Sequence, residues 1–101
     1  MLTDKFVFVG YPPHKKGNRV KFFEKLKFLR GEFKATIIMY EAPHRIMQML
    51  DEMEGILGDI EIVIEREMTK VFEESLRGQI SYIRKHFEKK PPKGEFVILF
   101  N

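Results

Sequence analysis

Apolar residues in this chain fall into short runs and helical stripes, separated by glycine and proline. Phe6-Val7-Phe8-Val9 is an apolar run closed by Gly10 and reads as a buried strand. The segment from Tyr11 to Gly17 cannot be regular structure, because Pro12 and Pro13 remove donors and fix φ. Asn18 is placed to cap a helix on which Phe22, Phe23, Leu26 and Leu29 share one face, with Gly31 as its stop. Ala35 to Tyr40 is a second apolar, β-branched run, and Pro43 suits the first turn of the next helix. That helix carries the clearest stripe in the chain: Ile46, Met49, Leu50, Met53, Ile56 and Leu57.

Gly58-Asp59 turns the chain into a strand over Ile60 to Glu65, with Met68-Thr69-Lys70 as a loop and Val71 to Arg77 as a further strand. Gly78 precedes a third helix bearing Ile80, Ile83 and Phe87, which Pro91-Pro92 ends, and Glu95 to Phe100 is the last strand. The predicted order is β-α-β-α-β-β-α-β. Alternation of this kind predicts a single-domain α/β fold, a mixed sheet of about five strands flanked by three helices.

Composition narrows the picture. A chain of 101 residues makes one domain, and 44% hydrophobic residues with 10 phenylalanines supply a core. Without cysteine there is neither a disulfide framework nor a thiolate metal site. No apolar run has the length of a membrane span and no signal-peptide pattern opens the chain, so a soluble, cytoplasmic protein is expected. The net charge of +3 says little, but its distribution says more: Lys15, Lys16, Arg19 and Lys21 cluster, as do Lys85, Lys89, Lys90 and Lys93. Such clusters can follow a phosphate backbone, although solvated lysines are an equally good account of the second.

Motifs for stand-alone chemistry are missing. Gly10 and Gly17 are too far apart for a dinucleotide loop, His14, His44 and His86 lack metal-ligand spacing, and no elbow surrounds Ser75 or Ser81. Polar clusters do stand at predicted strand ends: residues 11–16, 40–45 and 66–70. In α/β sheets ligands bind beyond the carboxyl ends of the strands, so parallel neighbours would bring these clusters to one rim. Taken singly, each residue has a structural reading. Arg45 and Glu41 suit an i,i+4 pair, Glu67 suits neutralising Arg66 or Lys70, and Thr69 suits capping a turn.

The same segments carry a resemblance. Phe8-Val9-Gly10-Tyr11-Pro12-Pro13 with Lys15, Lys16 and Arg19, then Tyr40-Glu41-Ala42-Pro43-His44-Arg45, then Arg66-Glu67-Met68-Thr69-Lys70 with Glu73, and Lys93-Gly94-Glu95-Phe96-Val97 occur in order. Together they resemble the 16S rRNA (cytidine-2′-O)-methyltransferase family, a branch of the tetrapyrrole-methylase-like superfamily. The resemblance runs from about Thr3 to the end. It implies that residues 1–101 are the carboxy-terminal α/β domain of a two-domain methyltransferase whose amino-terminal domain, with its cofactor loop, is absent. S-adenosylmethionine would bind between the domains, 16S rRNA or the small ribosomal subunit would be the partner, and a homodimer is implied by kinship.

Carried onto this sequence, the resemblance implies cofactor contacts at Tyr40, Glu41, Arg66, Glu67, Met68, Gly94, Glu95 and Phe96. Glu41 departs from the methionine usual in the porphyrin and corrin enzymes, which favours the RNA branch over a tetrapyrrole methylase domain. Lys15, Lys16, Arg19, His44 and Arg45 are expected to meet RNA. In methyl transfer to a ribose hydroxyl, Glu67 would accept the proton while Lys70 or Arg45 stabilises developing negative charge. No metal is expected, and this domain alone is expected to be inactive. A stand-alone RNA-binding α/β module is the rival from another class, although the chain lacks an RNP motif and a GxxG loop.

Overall fold

The computed structural model describes residues 5–67 and 73–101. Its elements follow the predicted order: β1 (Phe6–Gly10), α1 (Lys16–Phe33), β2 (Thr36–Glu41), α2 (Ile46–Leu57), β3 (Glu61–Glu67), β4 (Glu73–Gln79), α3 (Ile80–Lys89) and β5 (Glu95–Phe100). The expected loop at Met68-Thr69-Lys70 and the first residues of the strand expected from Val71 lie outside the described residues.

The five strands form one mixed sheet in the order β1-β2-β5-β3-β4. β1 and β2 are parallel, while β5 runs antiparallel to both β2 and β3, and β4 antiparallel to β3. Each helix therefore connects strands that point the same way. β5, last in sequence, is inserted between β2 and β3, which are thus not neighbours. The carboxyl ends of β1, β2 and β3 still share one edge of the sheet, together with the start of β5. That edge is where ligands bind in open α/β sheets.

Alternation along each strand divides the sheet into two unlike faces. Ile37 and Met39 of β2, Ile62 and Ile64 of β3, and Phe96, Ile98 and Phe100 of β5 point one way, each at most 1% exposed. They join Phe23 and Leu26 of α1, the stripe of α2 and Ile80, Ile83 and Phe87 of α3 in a single core. All three helices thus cover one face of the sheet. The other face is open and leaves Phe6 62% and Phe8 59% exposed on the β1 edge strand.

Local boundaries depart from the predictions for identifiable reasons. α1 begins at Lys16, not after Asn18, and its cap position, Lys15, makes no side-chain capping bond. The early start draws Arg19 into the first turns, where it is 8% exposed. Gly31 does not end the helix, which continues to Phe33 and closes on Lys34 in a left-handed conformation. Glycine lowers helix propensity by only about 1 kcal/mol, which neighbouring turns can absorb. Pro43 lies in a turn ahead of α2, closed by the Arg45 amide donating to the Ala42 carbonyl, rather than in its first turn. Gly78 is a β4 residue paired with Ile62.

Candidate functional site

The site is built where β1, β2, β3 and β5 reach their common edge. β1 ends in a register shift between Phe8 and Gly10. Gly10 has φ +71°, a region that costs an L side chain about 1–2 kcal/mol. This irregularity turns the chain towards the open face, and Tyr11 follows. Its hydroxyl donates to Glu95 Oε2 at 3.1 Å, joining two ends of the sequence. Its ring lies 5.6 Å from that of Tyr40, which in turn meets Phe8 edge-on at 5.1 Å. Gly94, at φ +82°, provides the turn that delivers Glu95 to the edge.

Between these side chains lies an open cleft of about 370 Å³, lined by Tyr11, Tyr40, Glu65, Arg66, Glu95, Phe96 and Val97. Its size falls in the range of small-molecule sites, ~300–1,000 Å³. Two tyrosine rings and the Glu65 and Glu95 carboxylates give it a character suited to a cationic ligand with an aromatic part. The hydrogen bond to Glu95, with some desolvation and the nearby negative charges, holds the Tyr11 phenol protonated to higher pH than usual.

The predicted cofactor residues take different positions. Tyr40, Glu95, Arg66 and Phe96 all line the cleft. Glu67 ends β3 directly opposite Glu95 in the register, at this same edge. Met68 and Lys70 lie outside the described residues. Glu41 points to the helix side, 2% exposed, with Oε1 accepting from the Ala42 amide at 2.8 Å and from Arg45 Nε at 3.1 Å. Arg66 is 3% exposed and its guanidinium pairs with Glu74, which also faces His86 at 3.6 Å and Lys90 at 3.7 Å. Burial pushes the Glu74 carboxyl upward, but the charge and hydrogen bond of Arg66, aided by Lys90 and His86, outweigh it and hold the group below its usual range.

The residues expected to meet RNA divide in a similar way. Lys15, Lys16 and His44 are exposed. Arg19 is instead bound to Glu52 of α2 through Nε and Nη2 at 2.8–3.1 Å, and the bond to Glu52 raises its already high pKa. Arg45 holds Glu41 and also directs Nη1 towards the ring of His14. Sequence reasoning placed Tyr11 in the rim cluster without a ligand contact, and gave no contact to Glu65 or Val97, nor a role to Glu52 and Glu74. Strand alternation was a usable signal for Glu65 and Val97, since both fall on the face of Tyr40. Nothing local marked Glu52 or Glu74, whose partners come from other elements. Among the described residues no group of three or more His, Asp or Glu could hold a metal ion, and no helix is long and apolar enough to cross a membrane.

Fold and site together define an α/β domain with a cleft of small-molecule size at its strand ends. No protein-family model matches the chain. It is similar to proteins named ribosomal RNA small subunit methyltransferase I. The Thermotoga maritima protein is 39% identical over 97 residues, covering 96% of this chain and 41% of that protein. The relative from Streptococcus pyogenes serotype M1 is 40% identical over 93 residues, 92% of this chain and 31% of its own length. For Bacillus subtilis the identity is 40% over 99 residues, 98% of this chain and 32% of the relative. The chain thus spans 31–41% of the length of these curated relatives.

Proposed function

We propose that the chain is the carboxy-terminal α/β domain of an S-adenosylmethionine-dependent methyltransferase acting on a ribose 2′-hydroxyl of 16S rRNA. It contributes part of the cofactor cleft and contacts to RNA, works in the cytoplasm, and requires an amino-terminal domain for turnover. One observation carries this reading: Tyr40, Arg66, Glu95 and Phe96, assigned to the cofactor from the sequence motifs, line a single cleft. The near-full-length similarity of this chain to named rRNA methyltransferases supports it.

The residues fit such a cofactor. Carboxylates and tyrosine faces suit its sulfonium and ammonium groups, and the aromatic edge suits a purine. When bound, the cofactor supplies an activated methyl group, so what remains for the protein is placement and removal of a proton. Exposed Lys15, Lys16 and His44 bind rRNA phosphate. Glu67 accepts the hydroxyl proton and Lys70 stabilises the developing negative charge.

Titrating the isolated chain with S-adenosylmethionine while following amide resonances tests the cleft. Shifts confined to the cleft, at Tyr11, Tyr40, Glu65, Glu95 and Phe96, are expected, and no shift there at millimolar cofactor defeats the assignment. A chimera in which this chain replaces the matching part of the Thermotoga maritima relative tests the reaction. It should place methyl groups on ribose in small ribosomal subunits, and Glu67→Ala or Lys70→Ala should lower the rate by about 10²-fold or more. Methylation of a base, or of a porphyrin-like substrate instead of RNA, would overturn the reading.

A further inference from the structure

A chain of contacts begins at buried Glu41 and ends on His14, to which the proposed function gives no role. Glu41 Oε1 accepts from the Ala42 amide and from Arg45 Nε. The same guanidinium carries Nη1 to His14, 2.5 Å from Nδ1 and 3.3 Å from Nε2. Arginine only donates, so a ring nitrogen of His14 is the acceptor available to it. From the other side, Arg19 Nη1 donates to the His14 carbonyl, while Glu52 of α2 holds that arginine by Nε and Nη2. His14 is therefore gripped twice, at ring and at carbonyl. Each gripping arginine is anchored on a different carboxylate.

The grip matters because of what precedes it. Pro12 is buried and Pro13 half-buried, and their rings leave the backbone little freedom between His14 and Tyr11. A displacement at His14 is thus passed on to Tyr11 rather than absorbed. Tyr11 in turn forms a wall of the cleft against Tyr40 and Glu95.

We infer that Glu41 and Arg45 are positioning residues, which fix His14 and so set where Tyr11 stands on the cleft wall. Arginine suits this task because its planar fork reaches a carboxylate through Nε and an imidazole through Nη1 at once. A lysine ammonium keeps the charge but not the fork. Glu41 also binds the backbone of the turn into α2, so one carboxylate holds the loop after β1 and the loop after β2 in a common register. What the cleft binds rests on the proposed function, whereas the placement of Tyr11 does not.

Arg45→Lys and Glu41→Gln in the 101-residue chain separate this role from a simple charge. Nuclear Overhauser contacts between the Tyr11 and Tyr40 rings and the ring nitrogen shifts of His14 are the readouts, with core resonances of Ile37 and Phe100 as the control. Both variants should keep the core signals, weaken the Tyr11–Tyr40 contacts several-fold and move the His14 nitrogens. Affinity for S-adenosylmethionine should fall about tenfold, the scale of removing one charge-assisted bond. His14→Ala, at an exposed position, gives the same reading should a buried substitution unfold the chain. Unchanged ring contacts and His14 shifts in Arg45→Lys would show that Arg45 serves as a point charge and overturn the inference. Failure of the wild-type chain to bind the cofactor would instead count against the proposed function, with the ring contacts still deciding the positioning role.

Discussion

Arg19 offers a sharp test, because its sequence context and its surroundings in the fold predict opposite things. As a member of a basic cluster it should contact phosphate, and its loss should weaken RNA binding without harming the fold. In the structure the Arg19 and Glu52 side chains are only 10% and 12% exposed and meet at 2.8 Å, bridging α1 to α2. Removing one partner of a fully buried pair costs about 3–5 kcal/mol, because the other charge stays desolvated. Limited water access to Glu52 lowers this to about 2–3 kcal/mol for Arg19→Met. The total stability of a domain is about 5–15 kcal/mol, so the loss is large. Urea unfolding followed by circular dichroism should show a midpoint lower by about 2–3 M, taking a slope of ~1 kcal/mol/M. The melting temperature should fall by roughly 10–20 °C. Arg19→Met/Glu52→Leu removes both charges and should return to within about 1 kcal/mol of the parent. Completed with Glu52→Leu alone, the cycle should yield a coupling of at least about 2 kcal/mol. A coupling below about 0.5 kcal/mol, the value of an exposed pair, would refute the reasoning.

Reversing the charge of Lys15 and Lys16 should weaken rRNA binding and flatten the salt dependence by about 0.7–0.9 for each phosphate no longer neutralised, as read by filter binding across salt concentrations. Gly10→Ala should cost about 1–2 kcal/mol through backbone strain alone, since an added Cβ meets nothing within 4 Å; Gly10→Asn should recover part of that in a thermal melt. Phe96→Ala, at a fully buried residue set edge-on to Phe87 at 5.4 Å, should cost about 3–5 kcal/mol of stability, measurable by calorimetry. Asp59, which accepts from the Ser81 hydroxyl and amide, has its carboxyl held below the ordinary value by those bonds, and Glu74 is held low by its cationic neighbours. Depressed folded values mean that their stabilisation is complete above the unfolded pKa values of about 3.9 and 4.3 and is lost as pH falls through the lower folded ones. Acid unfolding curves should therefore be shallower below about pH 4 for Asp59→Asn and Glu74→Gln than for the parent.

The order of elements was legible in the chain because it depends on local periodicity. The stripe from Ile46 to Leu57, the alternation in β5 and the proline stops each act over a few residues, and the structure reproduces them. The gathering of strand ends at one edge was expected of parallel neighbours; it holds here although β5 separates β2 from β3, because helical crossovers return strands in the same direction. Helix ends were less legible. Gly31 inside α1 and the start at Lys16 follow from packing that a propensity scale does not contain.

Only the tertiary structure decided the rest. The sequence carries no mark that β5 enters between β2 and β3, because antiparallel and parallel neighbours bury the same apolar alternation. Nor did it show that the helices share one face and leave the other open. Arg19, Arg45 and Arg66 look alike in sequence as cations beside a cleft. Each is committed to a carboxylate, and for Arg19 that partner lies 33 residues away. Charge and chain position determine that such groups need partners; the distance between folded elements determines which partner each one finds.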